Sequence, residues 1–190
     1  MRLRATSMRG GGGVPDFVPP SGNAIASWRG TGTGGASGLP DGWSAATIAG
    51  VVLSVLSRTP YRGGVIIEAQ FAGTATASGA IYIIPGGFLA ASVAPGQFWR
   101  PRLFSERVGS ATPGDLACNI HWRNASSVYL GAGPGAALNG NITGPEIAPA
   151  DGTAPATAAY AAMSLNRSIT SGQAVSLRYR IFAPTLVRVS

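Results

Sequence analysis

The 190-residue chain contains no lysine, a single cysteine and a single histidine. Without lysine, the phosphate contact of a P-loop, a Schiff base and a Ser–Lys dyad are all excluded. The single Cys118 excludes an intramolecular disulfide, and the single His121 excludes a metal site built from several imidazoles. A catalytic triad would have to use His121, which lies on a predicted strand. We interpret His121 as a surface or interface residue.

Charged residues are also scarce, at 11% of the chain, against about a quarter in an average protein. The net charge of +7 comes from fourteen arginines and seven acidic residues. The arginines are scattered, unlike the clustered stripe of a nucleic-acid-binding face. No Asp-x-Asp cluster marks a calcium site, and no two carboxylates have a spacing that indicates a hydrolytic pair. We therefore predict no catalytic site, no metal, no cofactor and no nucleic-acid partner.

Long hydrophobic runs are missing too. A membrane-spanning helix needs about 20 apolar residues, and the longest runs, such as 51–56, are far shorter. The first nine residues include three arginines but lead into four glycines, without the apolar stretch of a secretion signal. We expect neither membrane association nor targeting. Apolar residues still make up 45% of the chain, enough to bury a core and to exclude wholesale disorder.

Residues 1–22 differ in composition from the rest of the chain. They combine three arginines, a run of four glycines and the proline-rich run VPDFVPP. Such segments hold neither helices nor strand ladders. Two interpretations stay open: a disordered tail, or an extended N-terminal arm that docks on a partner. We predict an arm over 1–22 and a folded domain over 23–190. The residues expected to dock are Arg2, Arg4, Arg9, Phe17 and Val18.

The folded part has the pattern of strands separated by turns. In 116–124 the apolar side chains occupy the even positions, whereas in 174–182 they occupy the odd ones. This period of two indicates strands with one face in the core, and it places Trp122 in that core. Pro-Gly, Gly-Gly and Ser-Gly turns recur between such runs. About eight to ten strands at this spacing predict an all-β fold, an antiparallel β-sandwich of the jelly-roll type.

Three runs are apolar on both faces: 51–56, 65–71 and 80–84. Strands of this kind are typically covered on both sides, here by the second sheet or by a neighbouring subunit. A further strand over 97–108 contains Pro101. Since proline removes a ladder hydrogen bond, Pro101 predicts a sheet edge or a bulge.

Three segments, in this order and spacing, carry a resemblance to a known family. Residues 23–43 begin with asparagine, continue as a Gly/Thr/Ser-rich loop and end in LPDGW. Residues 95–99 read PGQFW, a turn that leads into a long strand, and residues 177–186 read LRYRIFAPTL. This pattern resembles the carbohydrate-binding-module-like jelly rolls in virion proteins of tailed phages and gene transfer agents. In that family the residue that matches Trp43 closes its loop against the sandwich.

The resemblance implies a structural virion protein on the particle surface, on the head or the tail, without catalytic turnover. The leading interpretation is a subunit of a head spike, head fibre or tail fibre that contacts host surface polysaccharide. We expect a homo-oligomer, a trimer or a pentamer, whose arm binds capsid or tail proteins. Two alternatives stay open: a capsid decoration or cement protein, and a glycan-active enzyme or the binding module of one.

Glycan binding would require exposed aromatic rings that stack on the apolar faces of sugars. Trp122 and Trp43 are expected to be structural, so other aromatic residues near turns and strand ends are the candidates. The candidate glycan contacts are Trp28, Tyr61, Tyr82, Trp99 and Tyr129.

Overall fold

The computed structural model describes residues 15–32 and 38–189, which form twelve β-strands and no helix. Within these ranges, therefore, no helix is long and apolar enough to cross a bilayer. The strands are β1 (Ser44–Ala46), β2 (Val51–Tyr61), β3 (Gly64–Thr74), β4 (Gly79–Ile84), β5 (Ala91–Ser92), β6 (Phe98–Arg107), β7 (Ala117–Arg123), β8 (Tyr129–Ala132), β9 (Ala136–Ala137), β10 (Gly152–Thr153), β11 (Tyr160–Ile169) and β12 (Ala174–Val189).

The strands form two sheets with antiparallel pairing throughout. A seven-stranded sheet has the order β1-β4-β11-β7-β8, with β5 paired to β11 and β9 paired to β7. A five-stranded sheet has the order β10-β6-β12-β3-β2. Most spatial neighbours are distant in sequence, as expected for a jelly roll. The prediction of an all-β antiparallel sandwich is confirmed.

Side chains from the inner faces of both sheets form the core. On β7 the predicted alternation holds, because Cys118, Ile120 and Trp122 are at most 2% exposed. On β12 the inward positions include Leu177 and Tyr179. Burial raises the pKa of the Cys118 thiol well above its usual range, so this thiol stays protonated and unreactive.

The runs that are apolar on both faces are only partly covered. Strand β2 lies at an edge of the five-stranded sheet, where Val52 is 64% exposed and Leu56 is 44% exposed. The second sheet covers only the inner face of β2, through Val51 and Leu53. Cover of the outer face by a neighbouring subunit stays a prediction. Pro101 was predicted to lie at a sheet edge or at a bulge. A bulge lies beside it, because the β6–β12 register shifts between Phe182 and Thr185, just before the Leu186–Pro101 pair.

Phe17 packs on the outer face of the five-stranded sheet. The ring of Phe17 lies 5.4 Å from that of Trp28 and 5.8 Å from those of Phe104 and Phe182, with edge-to-face geometry. The Phe17 backbone N–H also donates to the carbonyl of Arg62 at 2.9 Å. Phe17, predicted as an apolar anchor of the docking arm, thus packs against aromatic rings of its own chain, and its role in docking stays a prediction.

The other arm residues are placed differently. Val18 is 81% exposed. Arg2, Arg4 and Arg9 lie outside the described residues. A docking role for the arm, and the domain boundary at residue 22, both stay predictions.

Candidate functional site

A cleft of about 330 Å³ opens on the outer face of the seven-stranded sheet. Strands β4, β11, β7 and β8 supply most of its lining, and the segment after β4 supplies the remaining ring. The lining residues are Ala80, Tyr82, Phe88, His121, Arg123, Tyr129, Asn166 and Ser168.

Alternation along three neighbouring strands explains why these side chains share one face. Tyr82 on β4 pairs with Asn166 on β11, and Ser164 on β11 pairs with Asn119 on β7. Positions two apart along a strand point to the same side of the sheet. On β7 the outward set is therefore Asn119, His121 and Arg123, while the core residues of the same strand point inward.

A hydrogen-bond network forms the floor of the cleft. The Nδ2 atom of Asn166 donates to Oδ1 of Asn119 at 2.9 Å and to Oγ of Ser164 at 3.0 Å. The same Nδ2 lies 3.3 Å from Nε2 of His121. Ser164 is fully buried, so these bonds satisfy polar groups that water does not reach. The Oδ1 atom of Asn166 takes part in no hydrogen bond with the described residues, which leaves it as an acceptor for a ligand.

His121 is neutral in this environment. Burial, followed by the charge of Arg123, lowers the pKa of His121 to about 4. A neutral imidazole has one N–H and one acceptor nitrogen, and its Nε2 lies 3.3 Å from Nδ2 of Asn166, whose two N–H groups already donate to Asn119 and Ser164. The imidazole can therefore offer an N–H donor or a flat apolar ring, but no positive charge near neutral pH.

Aromatic rings form the walls. The Tyr129 ring lies 5.0 Å from the His121 ring at an interplanar angle of 64°. The Tyr82 ring lies 5.7 Å from that of Phe88 at 85° and 6.5 Å from the imidazole. Tyr129 is 49% exposed, so much of this ring is open to solvent. The cleft thus combines flat apolar surfaces with a polar floor.

A tight turn between β7 and β8 positions one side of the cleft. The Oδ1 atom of Asn124 accepts hydrogen bonds from the backbone N–H groups of Ser126 and Val128 at 3.0 and 2.9 Å. This use of an asparagine side chain is typical of short turns. The turn directs the Ser127 carbonyl to Arg123, whose Nη1 donates to it at 2.5 Å. The sequence from Asn124 therefore fixes both Arg123 and the start of β8.

The structure brings only two of the five candidate glycan contacts together. Tyr82 and Tyr129 both line the cleft. Trp28 and Trp99, at 9% and 6% exposed, belong to the core and present no free face, which corrects their assignment. Tyr61 packs edge-on against Phe182, 5.0 Å away, on the opposite sheet, and so lies away from the cleft.

Several cleft residues were not singled out by the sequence. His121 was interpreted as a surface or interface residue, yet it forms part of the floor. No local sequence pattern marks Asn166, Arg123 or Phe88 as ligand contacts. One sequence pattern could have indicated the cleft: all three outward positions of β7 are polar, namely Asn119, His121 and Arg123. The strand order that sets β11 beside β7 was not available from local patterns.

The lining of the cleft offers one neutral imidazole and no carboxylate, whereas glycoside hydrolysis uses a pair of carboxyl groups. Within the described ranges, no group of three or more His, Cys, Asp or Glu side chains could hold a metal ion.

The two tryptophans that were expected to be structural are buried. Trp43 is 7% exposed and donates from Nε1 to the Ser27 carbonyl at 3.2 Å, and Trp122 is in the core.

Several solved structures of other proteins have a fold similar to that of this chain. No protein-family model and no curated protein sequence matches it. The CBM22-1 xylan-binding domain of Paenibacillus barcinonensis Xyn10C is similar over 92% of this chain and 99% of that domain, with a TM-score of 0.50 and 14% identity. The Clostridium thermocellum Xyn10B CBM22-1–GH10 modules, solved with xylohexaose, match 89% of this chain and 28% of theirs, with a TM-score of 0.50 and 10% identity.

A third structure, an arabinose-bound MgGH51 α-L-arabinofuranosidase, matches 94% of this chain and 27% of its own, with a TM-score of 0.52 and 14% identity. At such low identity these matches bear on the fold alone. The chain has a β-sandwich fold similar to that of carbohydrate-binding modules, as the jelly-roll part of the sequence resemblance implied.

Proposed function

We propose that this protein is a carbohydrate-binding module that holds a glycan, without turnover, in the cleft on its seven-stranded sheet. The observation that carries the proposal is the position of Tyr82 and Tyr129 on either side of a polar floor made by Asn166 and His121. This is the binding-module alternative raised by the sequence, and the fold supports it better than it supports a purely structural role.

The physical basis is the two-sided nature of a sugar ring. Its C–H groups form apolar faces that pack on aromatic rings, and its hydroxyl groups need hydrogen-bond partners at the ring edge. In the cleft, the exposed ring of Tyr129 offers the apolar surface. The Oδ1 atom of Asn166 offers an acceptor to hydroxyl groups, and the neutral imidazole of His121 offers a second hydrogen-bonding group. The matching of both needs in one cleft favours a glycan over a purely apolar ligand.

The biological setting extends this proposal. We place the module on a virion surface, as a head spike, head fibre or tail fibre subunit that binds host surface polysaccharide; the sequence resemblance supports this placement. The proposed homo-oligomer has a specific observation in its favour, since Val52 and Leu56 leave apolar surface on the edge strand β2. A monodisperse monomer in solution, by light scattering, would contradict the oligomer. A label attached to this protein on the purified particle would show where the protein lies. Its position would distinguish a spike or fibre subunit from a cement protein.

The test of glycan binding uses a polysaccharide panel and isothermal titration calorimetry, with neutral and acidic polymers. Replacing Tyr129 or Tyr82 by alanine is expected to raise Kd about two- to tenfold each, since an aromatic contact contributes about 0.5–1.5 kcal/mol. Phe98→Ala is the matched control, because Phe98 is as exposed as Tyr129, at 49%, but lies on the five-stranded sheet. Binding that survives both tyrosine substitutions unchanged, or no binding to any polymer, would overturn the proposal.

A further inference from the structure

Arg123 is held in the cleft by two contacts that leave part of its guanidinium unused. Its Cζ atom lies 4.5 Å from the centroid of the Phe88 ring, a cation–π distance. Nη1 donates to the Ser127 carbonyl. Nε is buried without a hydrogen-bond partner, and Nη2 makes no hydrogen bond to the described part of the chain. The guanidinium is thus fixed in position, with Nε buried and the donors of Nη2 left for a ligand.

The carboxylates of the described chain lie away from this arginine. Asp16 and Asp41 lie beside the backbone of Gly63 and Gly32, in loops outside the cleft lining. The other five acidic side chains form ion pairs with arginines other than Arg123. They are Glu68, Glu106, Asp115, Glu146 and Asp151. The protein itself therefore leaves the positive charge of Arg123 without a carboxylate partner.

The remaining lining groups do not offset that charge. The tyrosines, Phe88, Asn166 and Ser168 carry none near neutral pH. His121 is neutral, for the reasons given above, and so adds no second cation. The cleft consequently has one fixed positive charge in a half-buried setting, where electrostatic interactions are stronger than in bulk water.

We infer that the glycan bound in this cleft carries a carboxylate, as in a uronic acid or another acidic sugar, and that Arg123 pairs with it. The inference rests on the proposed function and names its ligand class. A guanidinium fork matches the geometry of a carboxylate, and charge-assisted hydrogen bonds of this kind are about twice as strong as neutral ones. Phosphate and sulfate groups could accept from the same fork, so the experiment below isolates the carboxylate by reducing it on each polymer.

The strand register places the charge where a stacked sugar could use it. Arg123 on β7 is paired with Tyr129 on β8, so the two residues are directly opposite each other across the hairpin. A sugar ring stacked on Tyr129 would hold a ring substituent beside the guanidinium. The polar floor at Asn166 would remain free for the hydroxyl groups of the same residue.

The experiment compares acidic polysaccharides with their own carboxyl-reduced forms. Polygalacturonate, alginate and hyaluronan, each beside its reduced counterpart, are titrated into the full chain at low and high salt. The expected result is an acidic polymer that binds about tenfold more tightly than its reduced form at low salt, as for a hydrogen bond to a charged group. This preference should shrink as salt screens the pair.

Three variants assign the preference to Arg123. Arg123→Gln should bind both forms with the affinity that the unmodified protein has for the reduced form. Arg123→Lys keeps the charge without the fork and should retain part of the preference. Arg188→Gln removes the same charge from an exposed position on β12 and should leave the preference intact. Thermal unfolding of each variant shows that the fold is retained.

The possible outcomes separate this inference from the proposed function. Equal binding of acidic and reduced forms, or binding of neutral polymers only, would overturn the acidic-sugar inference and leave glycan binding in place. A preference that Arg123→Gln retains would overturn the role of Arg123. Failure to bind any polymer, acidic or neutral, would reject both the inference and the proposed function.

Discussion

The imidazole of His121 faces the side-chain amide of Asn166, with Nε2 and Nδ2 separated by 3.3 Å. A protonated imidazole carries an N–H group at Nε2, which would face the N–H groups of Nδ2. This geometry agrees with the lowered pKa of His121, about 4, which burial and the nearby Arg123 cause. The same contact joins β7 to β11 at the floor of the cleft, so the protonation state of one ring bears on both stability and binding.

We predict that His121 makes the fold less stable as pH falls from about 6.5 to 4. In the unfolded chain a histidine titrates near 6.5, whereas in the folded chain His121 titrates near 4. Within this window the unfolded state binds a proton that the folded state does not, so the free energy of unfolding falls by up to about 3 kcal/mol. Urea unfolding at pH 7 and pH 4.5 measures the change. His121→Gln keeps an acceptor and should lose less stability over the same interval.

Comparison of the unmodified protein with His121→Gln isolates the contribution of His121 to the pH dependence of stability. The ion-paired carboxylates Glu68 and Asp151, whose pKa values are lowered, also cost stability in acid, but they are present in both proteins. Parallel pH profiles for the unmodified protein and His121→Gln would show that the imidazole is not buried as described.

The fold could be predicted from local patterns because the alternation is strong where a strand has one buried face. Strand β7 and the first half of β12 are clear examples, with core side chains at every second position. The burial of Trp99 and Trp28 was harder to predict from the sequence. Trp99 lies on β6, where Pro101 and the facing bulge interrupt the pattern, and Trp28 lies in a loop. A loop residue is not part of an alternating pattern, so its burial cannot be predicted from periodicity. Trp28 is buried partly because Phe17 packs against it.

The candidate site was predictable only in part, for reasons of topology. Tyr82 and Tyr129 stood out as aromatics at strand ends, and both proved to line the cleft. Their convergence on Asn166 depends on the order β4-β11-β7-β8, which joins strands far apart in sequence. Phe88 reaches Arg123 from the segment after β4, a contact that no local spacing indicates.

We predict that Tyr179→Phe destabilises the fold by about 1–3 kcal/mol. The Tyr179 hydroxyl donates to Oδ1 of Asp115 at 2.9 Å and accepts from the Leu116 backbone N–H at 3.1 Å. Both Tyr179 and Leu116 are 1% exposed, so removal of the hydroxyl leaves a buried N–H without a partner. Thermal and urea unfolding measure the loss. Tyr160→Phe is the control, since the Tyr160 hydroxyl has no hydrogen bond among the described residues, and equal effects would contradict the prediction.

We predict that Phe17 contributes to the stability of the sandwich although it precedes the first strand. Its ring contacts Trp28, Phe104 and Phe182, so Phe17→Ala is expected to cost about 2–4 kcal/mol and to expose part of the five-stranded sheet. Val18→Ala, at an 81% exposed position next to it, should change the unfolding free energy by less than about 0.5 kcal/mol. Similar losses for the two variants, or none for Phe17→Ala, would show that the segment does not pack as described.

Glu68, Arg178 and Arg180 form an ion cluster on the five-stranded sheet, away from the cleft. Glu68, 5% exposed, accepts hydrogen bonds from Nε of Arg178 at 2.5 Å and from Nε of Arg180 at 3.1 Å. Burial alone would raise the pKa of Glu68, but the hydrogen bonds and charges of the two arginines outweigh it and lower the pKa. Glu68→Gln is expected to cost about 1–2 kcal/mol, a value reduced because both arginines are about 40% exposed and regain water.

Glu106 provides the internal comparison for Glu68. It pairs with Arg180 alone, at 3.1 Å, and its side chain is 30% exposed. Glu106→Gln should therefore cost less than about 1 kcal/mol, and most of that should disappear in 1 M salt, where charges in contact with solvent are screened. The loss in Glu68→Gln should largely persist in salt, because this carboxylate is shielded from solvent by its own arginines. Equal salt sensitivity of the two variants in urea unfolding would mean that Glu68 is solvated, in conflict with its burial beneath Arg178 and Arg180.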